Sequence, residues 1–306
     1  MALVLLNPLA GGGRAAALAG VLSQQLQAAS GPAPARLETP ATVRDALEAI
    51  ARLPRGSRVV VVGGDGTLNR WVPGLLSGQH SLGLVPLGSG NDTARALGLA
   101  GLPWPQALSL ALQGEASPMD TAELSWTDVH GDSHRTVWVS SLSVGLDAAI
   151  GRRAQTGPRW LRGMPRYLLA SLQEILRIQE NQVQIRLDGA DWPSGPLLLA
   201  SSLNTPTFGA GMQAMPHARI DDGLLHLLQV DAMGRLRALS WLPRLLKGQH
   251  LGLPGVGAHA YRQLQIRSRG AGLPLAVDGE WLGLAHSLSV QVQPASLHVV
   301  RRAGPA

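Results

Sequence analysis

The 306-residue sequence has no cysteine, a single lysine (Lys247), one phenylalanine and two tyrosines. Without thiols there is no disulfide framework, no cysteine-type zinc site and no thiol chemistry, which fits a cytoplasmic protein. The shortage of lysine excludes more. A Walker A loop needs a lysine directly after its glycines, and a protein kinase needs one on a strand. Neither is present. No apolar run approaches the roughly 18 residues of a membrane-spanning helix. Met1 to Leu6 is too short for the apolar region of a secretory leader and has no basic residue ahead of it. Any membrane contact is expected to be peripheral.

What is present is a globular composition, 45% apolar, in a chain long enough for one large domain or two ordinary ones. The formal net charge of +6 is almost wholly arginine. This moderate excess favours anionic partners, nucleotide or lipid headgroup, and is not a nucleic-acid signature.

The N-terminal part alternates strand and helix. Apolar runs at Ala2 to Leu6, Ala35 to Glu38, Arg58 to Val62 and Leu82 to Val85 are separated by helical stretches to about Ala29, from Thr42 to Leu53, and from near Thr67 and Asn91. That spacing predicts a parallel, doubly wound α/β sheet. A helix is expected over Trp104 to Gln113. The texture then becomes mostly β, with strands expected at Asp120 to Trp126, Thr136 to Val144, Gln182 to Leu187, Pro196 to Leu203, Leu224 to Val230, Gln263 to Arg267, Leu273 to Val277 and Ser287 to Val292. Two helices, Trp160 to Ile178 and Met233 to Lys247, interrupt it. A second, β-rich domain is predicted, with the boundary near residues 121–124.

Two turns in the first part carry chemistry. The strand at Arg58 empties into Gly63-Gly64-Asp65-Gly66-Thr67, and the strand at Leu82 into Gly88-Ser89-Gly90-Asn91-Asp92. Glycines allow close backbone approach, and each turn opens a helix whose first N–H groups and dipole favour an anion. On neighbouring parallel strands both turns face one crevice, the usual ligand position in such sheets. Phosphate is the suited ligand, and an acid there can hold the accompanying metal. On the later helix, Leu161, Met164, Leu168, Leu172 and Ile175 share one face, with Arg159, Arg162, Arg166 and Arg177 elsewhere and Arg152 and Arg153 nearby. A core helix with a solvated face is one reading, and a basic rim facing a membrane is the other.

Asn7-Pro8 with Gly11, the Gly-Gly-Asp-Gly-Thr turn and Pro86-Leu87-Gly88-Ser89-Gly90-Asn91-Asp92-Thr93-Ala94-Arg95 together resemble the diacylglycerol kinase catalytic-domain family, which includes bacterial soluble lipid kinases and sphingosine kinases. The resemblance continues through Tyr167 to Leu176, Gly209 to Ala218, Asp221-Asp222-Gly223-Leu224-Leu225 and Val277-Asp278-Gly279-Glu280. It implies a nucleotide-binding α/β domain over residues 1–122, rejoined by a C-terminal strand within about 293–306. A β-rich, sandwich-like lipid-binding domain is implied over 123–292. It further implies ATP- and Mg²⁺-dependent phosphoryl transfer to a lipid hydroxyl, diacylglycerol being the expected acceptor. The nucleotide would meet Asn7, Gly11, Gly63, Gly64, Gly66, Thr67, Gly88, Ser89, Gly90 and Asn91. Asp65, Asp92 and Asp120 would hold Mg²⁺ through water, and Asp221 and Asp222 a structural metal. Asp278 would be the base for the acceptor hydroxyl, with Glu280 beside it and Asp65 in the catalytic set. A cytoplasmic enzyme meeting lipid at the inner membrane face, without nucleic acid, and a homodimer complete the expectation.

Three residues depart from that pattern, one of them conservatively, since Ser89 stands where threonine is frequent. Arg70 follows Asn69 where the family has an acid, and Thr93 stands where phenylalanine is common. Arg70 raises the alternative of a catalytically weak lipid- or nucleotide-binding protein. NAD kinase shares the Gly-Gly-Asp-Gly turn but not the later motifs. A dehydrogenase would read Gly11-x-Gly13-x-x-Ala16 and Glu38 as a dinucleotide fingerprint, leaving the two turns unexplained.

Overall fold

The computed structural model describes residues 2–28, 35–88, 90–158, 160–161, 164–178, 180–192, 195–209 and 211–302. The chain divides into two compact units, Met1–Met119 with Ala295–Ala306, and Asp120–Pro294.

In the first unit, β1 (Ala2–Leu6), α1 (Ala19–Ala28), β2 (Ala35–Glu38), α2 (Val43–Ala51), β3 (Arg58–Gly63), α3 (Asp65–Ser77), β4 (Ser81–Pro86), α4 (Asp92–Ala96) and α5 (Trp104–Gln113) follow in order. The strands are parallel in the order β2-β1-β3-β4, and His298 and Val299 add a further parallel segment beside Ser81 and Leu82. β1 and β3 are near-continuous buried runs because helices cover both sheet faces. Val4, Leu6, Val60 and Val62 pack with Leu22 and Leu26 of α1 and Leu108 of α5. By strand alternation Leu3, Leu5, Val59 and Val61 point the other way and are equally buried. Arg58 closes the C-terminal end of α5, donating to the carbonyls of Ala111 at 2.9 Å and Gly114 at 3.1 Å. From β1 the chain moves one way to β2 and the other way to β3. That reversal puts a topological switch point at the C-terminal ends of β1 and β3, where open α/β sheets bind ligands.

The second unit contains β5 (Ala116–Asp128, beginning in the first), β6 (Ser133–Trp138), β7 (Ser141–Val144), α6 (Leu146–Thr156), α7 (Met164–Leu176), β8 (Asn181–Leu187), β9 (Ala190–Trp192), β10 (Pro196–Leu203), β11 (Leu225–Asp231), α8 (Arg235–Leu246), β12 (Val256–Tyr261), β13 (Gln263–Ser268), β14 (Leu273–Val277) and β15 (Glu280–Val300, ending in the first). One antiparallel run is β12-β11-β10-β7-β14-β15. β15 also pairs with β5 and β13, which lead to β6 and β8. The core between these layers is built on Trp138, Tyr261, Leu142, Leu264 and Ile266.

Several elements differ from the sequence reading. The strand expected over Thr136 to Val144 is two strands, because the amides of Val139 and Ser140 donate to the Asp278 carboxylate instead of a ladder. α6, β9 and β12 had no periodic signal strong enough to predict them. α7 begins at Met164 rather than Trp160, and its buried residues are Ala170, Ser171 and Ile175, whereas Leu172 is 43% exposed. The two strands expected after Ser287 are one, β15.

Candidate active site

The first unit brings its two glycine turns into backbone contact. A Cβ on Gly64 would lie 2.6 Å from the Gly88 Cα, and the Leu87 amide donates to the Gly63 carbonyl at 2.8 Å. A Cβ on Gly11 would lie 2.8 Å from the Leu87 carbonyl oxygen. Glycine at 64 and 88 is therefore required by turn-on-turn packing as well as by any ligand. Asn7, just past β1, donates its Nδ2 to the Thr67 hydroxyl at 2.7 Å and accepts from the Leu9 amide. Its own amide donates to the Val62 carbonyl. The ends of β1 and β3 are thus tied together at the switch point.

The two helix N-termini differ. α3 starts after Gly64, and among the described residues no side chain caps its first-turn N–H groups. α4 is capped by Asp65, whose Oδ2 accepts from the Asp92 amide at 3.0 Å and Oδ1 from the Thr93 amide at 3.1 Å. Asp92 is buried, and its Oδ1 pairs with Arg95 Nη1 at 3.0 Å. Asn91 adopts a left-handed backbone (φ 56°) and donates its side chain to the Gly88 carbonyl at 2.8 Å. The buried Asn91 Oδ1 and Thr93 Oγ1 have no partner among the described residues. Ser89 lies outside those residues. Arg70 is on the exposed surface of α3. An uncapped helix end at a switch point, with the Asp65 carboxylate in its own first turn and Asp92 on the adjoining turn, fits a phosphate and its cation. Mg²⁺ commonly uses one or two carboxylates, with waters and substrate phosphate completing the shell. Among the described residues no three His, Asp or Glu side chains converge as a ready metal cage.

The remaining acids belong to the second unit. Asp278 and Gly279 form a two-residue hairpin turn with φ of 46° and 82°, the geometry that Asp-Gly favours. The turn directs the Asp278 carboxylate onto the 139–141 segment. Its Oδ2 accepts from Val139 at 3.0 Å, and its Oδ1 accepts from Ser140 at 2.8 Å and Ser141 at 2.9 Å. Glu280 sits opposite Val277 across the same turn. Asp120, grouped by resemblance with Asp65 and Asp92, accepts from the Gly223 amide at 2.7 Å and is buried. It is thereby fixed to the turn carrying Asp221 and Asp222. Asp222 accepts from the Leu224 amide at 3.0 Å, and Arg219 approaches Asp221 at 3.4 Å.

The sequence reading missed Asn204. Fully buried after β10, it donates to the carbonyls of Asp120 at 2.8 Å and Val139 at 2.9 Å, joining the Asp120 strand to the segment that Asp278 holds. Ser140 and Thr205 hydroxyls lie 2.8 Å apart beside it. The only signal was a polar Asn-Thr pair closing an apolar strand, which reads like any strand end. Asp147 was also missed. It is buried in the first turn of α6, accepts from the Ser201 hydroxyl at 2.6 Å, and has its pKa pushed up to about 6 by loss of solvent.

Comparison with known proteins agrees with this fold. The diacylglycerol kinase catalytic domain matches residues 1–124, and the YegS C-terminal NAD kinase beta sandwich-like domain matches residues 140–301. A diacylglycerol kinase of Mycobacterium tuberculosis is 28% identical over 244 residues, covering 79% of this chain and 76% of that protein. A probable lipid kinase YegS-like of Chromohalobacter salexigens is 34% identical over 232 residues, covering 73% of this chain and 70% of that protein. A diacylglycerol kinase structure from Bacillus anthracis superposes with a TM-score of 0.76 at 20% identity, over 98% of this chain and 96% of that one, which establishes a shared fold. Yeast NADH kinase is a more distant fold neighbour, with a TM-score of 0.50 at 12% identity, over 93% of this chain and 72% of that one. With one domain matched over its first part and the other over more than half its length, the chain belongs to the family of diacylglycerol kinases and YegS-like lipid kinases.

Proposed function

We propose that the chain is an ATP- and Mg²⁺-dependent lipid kinase that transfers the γ-phosphoryl group to the free hydroxyl of diacylglycerol, giving phosphatidic acid. The observation that carries this reading is the uncapped N-terminus of α3 at the β1/β3 switch point, packed backbone to backbone on the second glycine turn. In this reading the first unit binds the nucleotide. Gly63, Gly64, Gly66 and Thr67 offer main-chain and hydroxyl donors to the phosphates. Gly88, Gly90 and Asn91 form the facing wall, and Asn7 and Gly11 border it. Asp65 and Asp92 would hold Mg²⁺, which when bound neutralises phosphate charge that no lysine here can balance.

The second unit binds the lipid. Asp278 orients the acceptor hydroxyl and takes up its proton, with Glu280 beside it. Phosphoryl transfer makes modest demands on a base, so a carboxylate already held by three amides suits an orienting role. Asp120 and Asn204 act as positioning residues by fixing the 139–141 segment. Contact with an anionic membrane surface is assigned to α8. Arg235, Arg244 and Lys247 are exposed there, Arg237 beside them stacks on Trp241, no acid lies within Arg235–Leu246, and Leu236 is 84% exposed. The basic rim expected around α7 supports this less. Arg153 pairs with Glu174, Arg152 stacks on Trp281, and Arg159 and Arg162 lie outside the described residues.

The test is transfer from γ-labelled ATP, with Mg²⁺, to a panel of diacylglycerol, ceramide, sphingosine and NAD. Labelled phosphatidic acid is expected. A labelled NADP product would replace this reading with an NAD kinase. Nucleotide binding without transfer to any acceptor would replace it with a binding protein, the outcome Arg70 suggests.

A further inference from the structure

The turn that carries Asp278 and Glu280 is held from two sides. On the inner side the Asp278 carboxylate takes the amides of residues 139–141. On the outer side the Gly279 carbonyl, at the tip of the hairpin, accepts from the side-chain amide of Gln155 on α6. Arg152 of the same helix lies over the Trp281 ring, 4.7 Å from its centroid. Three residues apart, Arg152 and Gln155 share one face of α6. The helix therefore grips the turn immediately before and immediately after Glu280. Such a grip matters because Asp278 has a left-handed backbone, φ 46°, which any residue but glycine keeps only when its surroundings hold it.

The rest of α6 is fixed along β14, the strand that leads into the turn. The Gly145 amide, just ahead of the helix, donates to the Pro274 carbonyl at 2.9 Å. Asp147, buried in the first helical turn, accepts from the Ser201 hydroxyl at 2.6 Å. From Leu146 to Gln155 a helix rises about 14 Å at about 1.5 Å per residue. From Pro274 to Asp278 a strand covers about 13 Å at about 3.3 Å per residue. Helix and strand thus span the same distance between the same two anchor points, and α6 lies along β14 as a strap. Arg153 pairs with Glu174 of α7, with side chains only 30% and 15% exposed, which fixes α6 about its own axis. The path closes on itself. Asp278 holds Ser141, β7 runs from Ser141 into α6, and α6 returns to Gly279.

We propose that Gln155 is a positioning residue for the acceptor acid: its hydrogen bond to Gly279 holds the hairpin in the setting that keeps the Asp278 carboxylate on the 139–141 amides and aimed at the acceptor hydroxyl. The proposal rests on the lipid-kinase reading for the role of Asp278 and goes beyond it in giving α6 a part in the reaction. Gln155 acts through Asp278 and not on the substrate.

Two substitutions separate the hydrogen bond from the helix. Gln155→Met keeps the length and helix preference of glutamine but has no N–H to donate, whereas Gln155→Lys keeps a donor. Gln155 is exposed, so the fold tolerates both. Amide exchange of Val139, Ser140 and Ser141 is measured on protein without nucleotide or lipid. It should accelerate about five-fold in Gln155→Met, the scale of one neutral hydrogen bond, and stay at the wild-type rate in Gln155→Lys. With γ-labelled ATP and diacylglycerol, kcat should fall by about the same factor in Gln155→Met while KM for the lipid holds, and Gln155→Lys should restore it. Added to Asp278→Asn, Gln155→Met should cost nothing more. Unchanged exchange at 139–141 overturns the proposal, as does a further loss on the Asp278→Asn background or a Gln155→Lys no better than Gln155→Met. The exchange is read without substrate, so its failure removes the strap while transfer to lipid still stands. Transfer to no acceptor removes the kinase reading while the exchange effect remains.

Discussion

Replacing Asp65 by asparagine tests whether the acid of the first turn is a brace, a metal ligand or both. The carboxylate accepts from two amides at the start of α4, at 3.0 and 3.1 Å. Asparagine keeps the shape and one acceptor, and points an NH₂ at the other amide. One hydrogen bond to a charged group is lost, worth about 1.5–3 kcal/mol, and with it a few tenths from the charge at the helix end. Asp65 is only partly buried, so screening favours the lower half of that range. We expect local destabilisation of about 2 kcal/mol. Amide hydrogen exchange over residues 90–97 should accelerate about 30-fold in D65N, because exchange from local opening reports that free energy directly. Turnover with diacylglycerol should fall by at least about two orders of magnitude. Exchange within three-fold of wild type would refute the brace. Accelerated exchange with near-normal turnover would keep the brace and remove Asp65 from the chemistry.

Gly64→Ala should cost about 2 kcal/mol and weaken nucleotide binding, since its Cβ would meet the Gly88 Cα at 2.6 Å and neither backbone can yield; a nucleotide titration and a thermal melt check both, and a neutral substitution would refute the close approach. Asp278→Asn should retain the hairpin, because asparagine tolerates its positive φ, yet lose at least about two orders of magnitude in turnover; activity near wild type would exclude the orienting role. Asp147 has a folded pKa raised to about 6 from 3.8. Its contribution to stability is therefore complete below pH 3.8 and lost as pH rises through about 6, amounting to about 3 kcal/mol at most. Urea melts should show D147N gaining on the wild type by up to that amount between pH 4 and 7, and a pH-independent difference would contradict the shift. Binding to anionic vesicles should weaken with salt and with Arg235→Ala plus Arg237→Ala, whereas salt-insensitive binding would count against α8 as the membrane face.

The parallel strands of the first unit were legible because burial on both faces leaves little choice but unbroken Val/Leu runs, as at Val59 to Val62. The break at Val139 was not legible. Thr136 to Val144 is rich in β-branched residues, as a strand should be, and only a carboxylate 138 residues away in sequence takes the Ser140 amide out of the ladder. The helical face of α7 was misjudged for a related reason. Ile175 is buried as expected, but Leu172 is exposed while Ala170 and Ser171 are buried, because the neighbours available to cover a helix decide which of its residues are inside.

By itself the sequence determined the chemistry available to this protein: no thiol, one lysine, two glycine turns each opening a helix, and acids at 65, 92 and 278. Local rules suffice for such features, since a turn needing positive φ or close backbone approach selects glycine wherever it occurs. Tertiary structure decided how those pieces are used. It made Asp65 the cap of a neighbouring helix, fixed Asp120 to the Ile220–Gly223 turn through its amide and its carboxylate, and buried Asp147 against the Ser201 hydroxyl. Those outcomes depend on which distant backbone amides and side chains meet a carboxylate, and residue order alone does not specify those meetings.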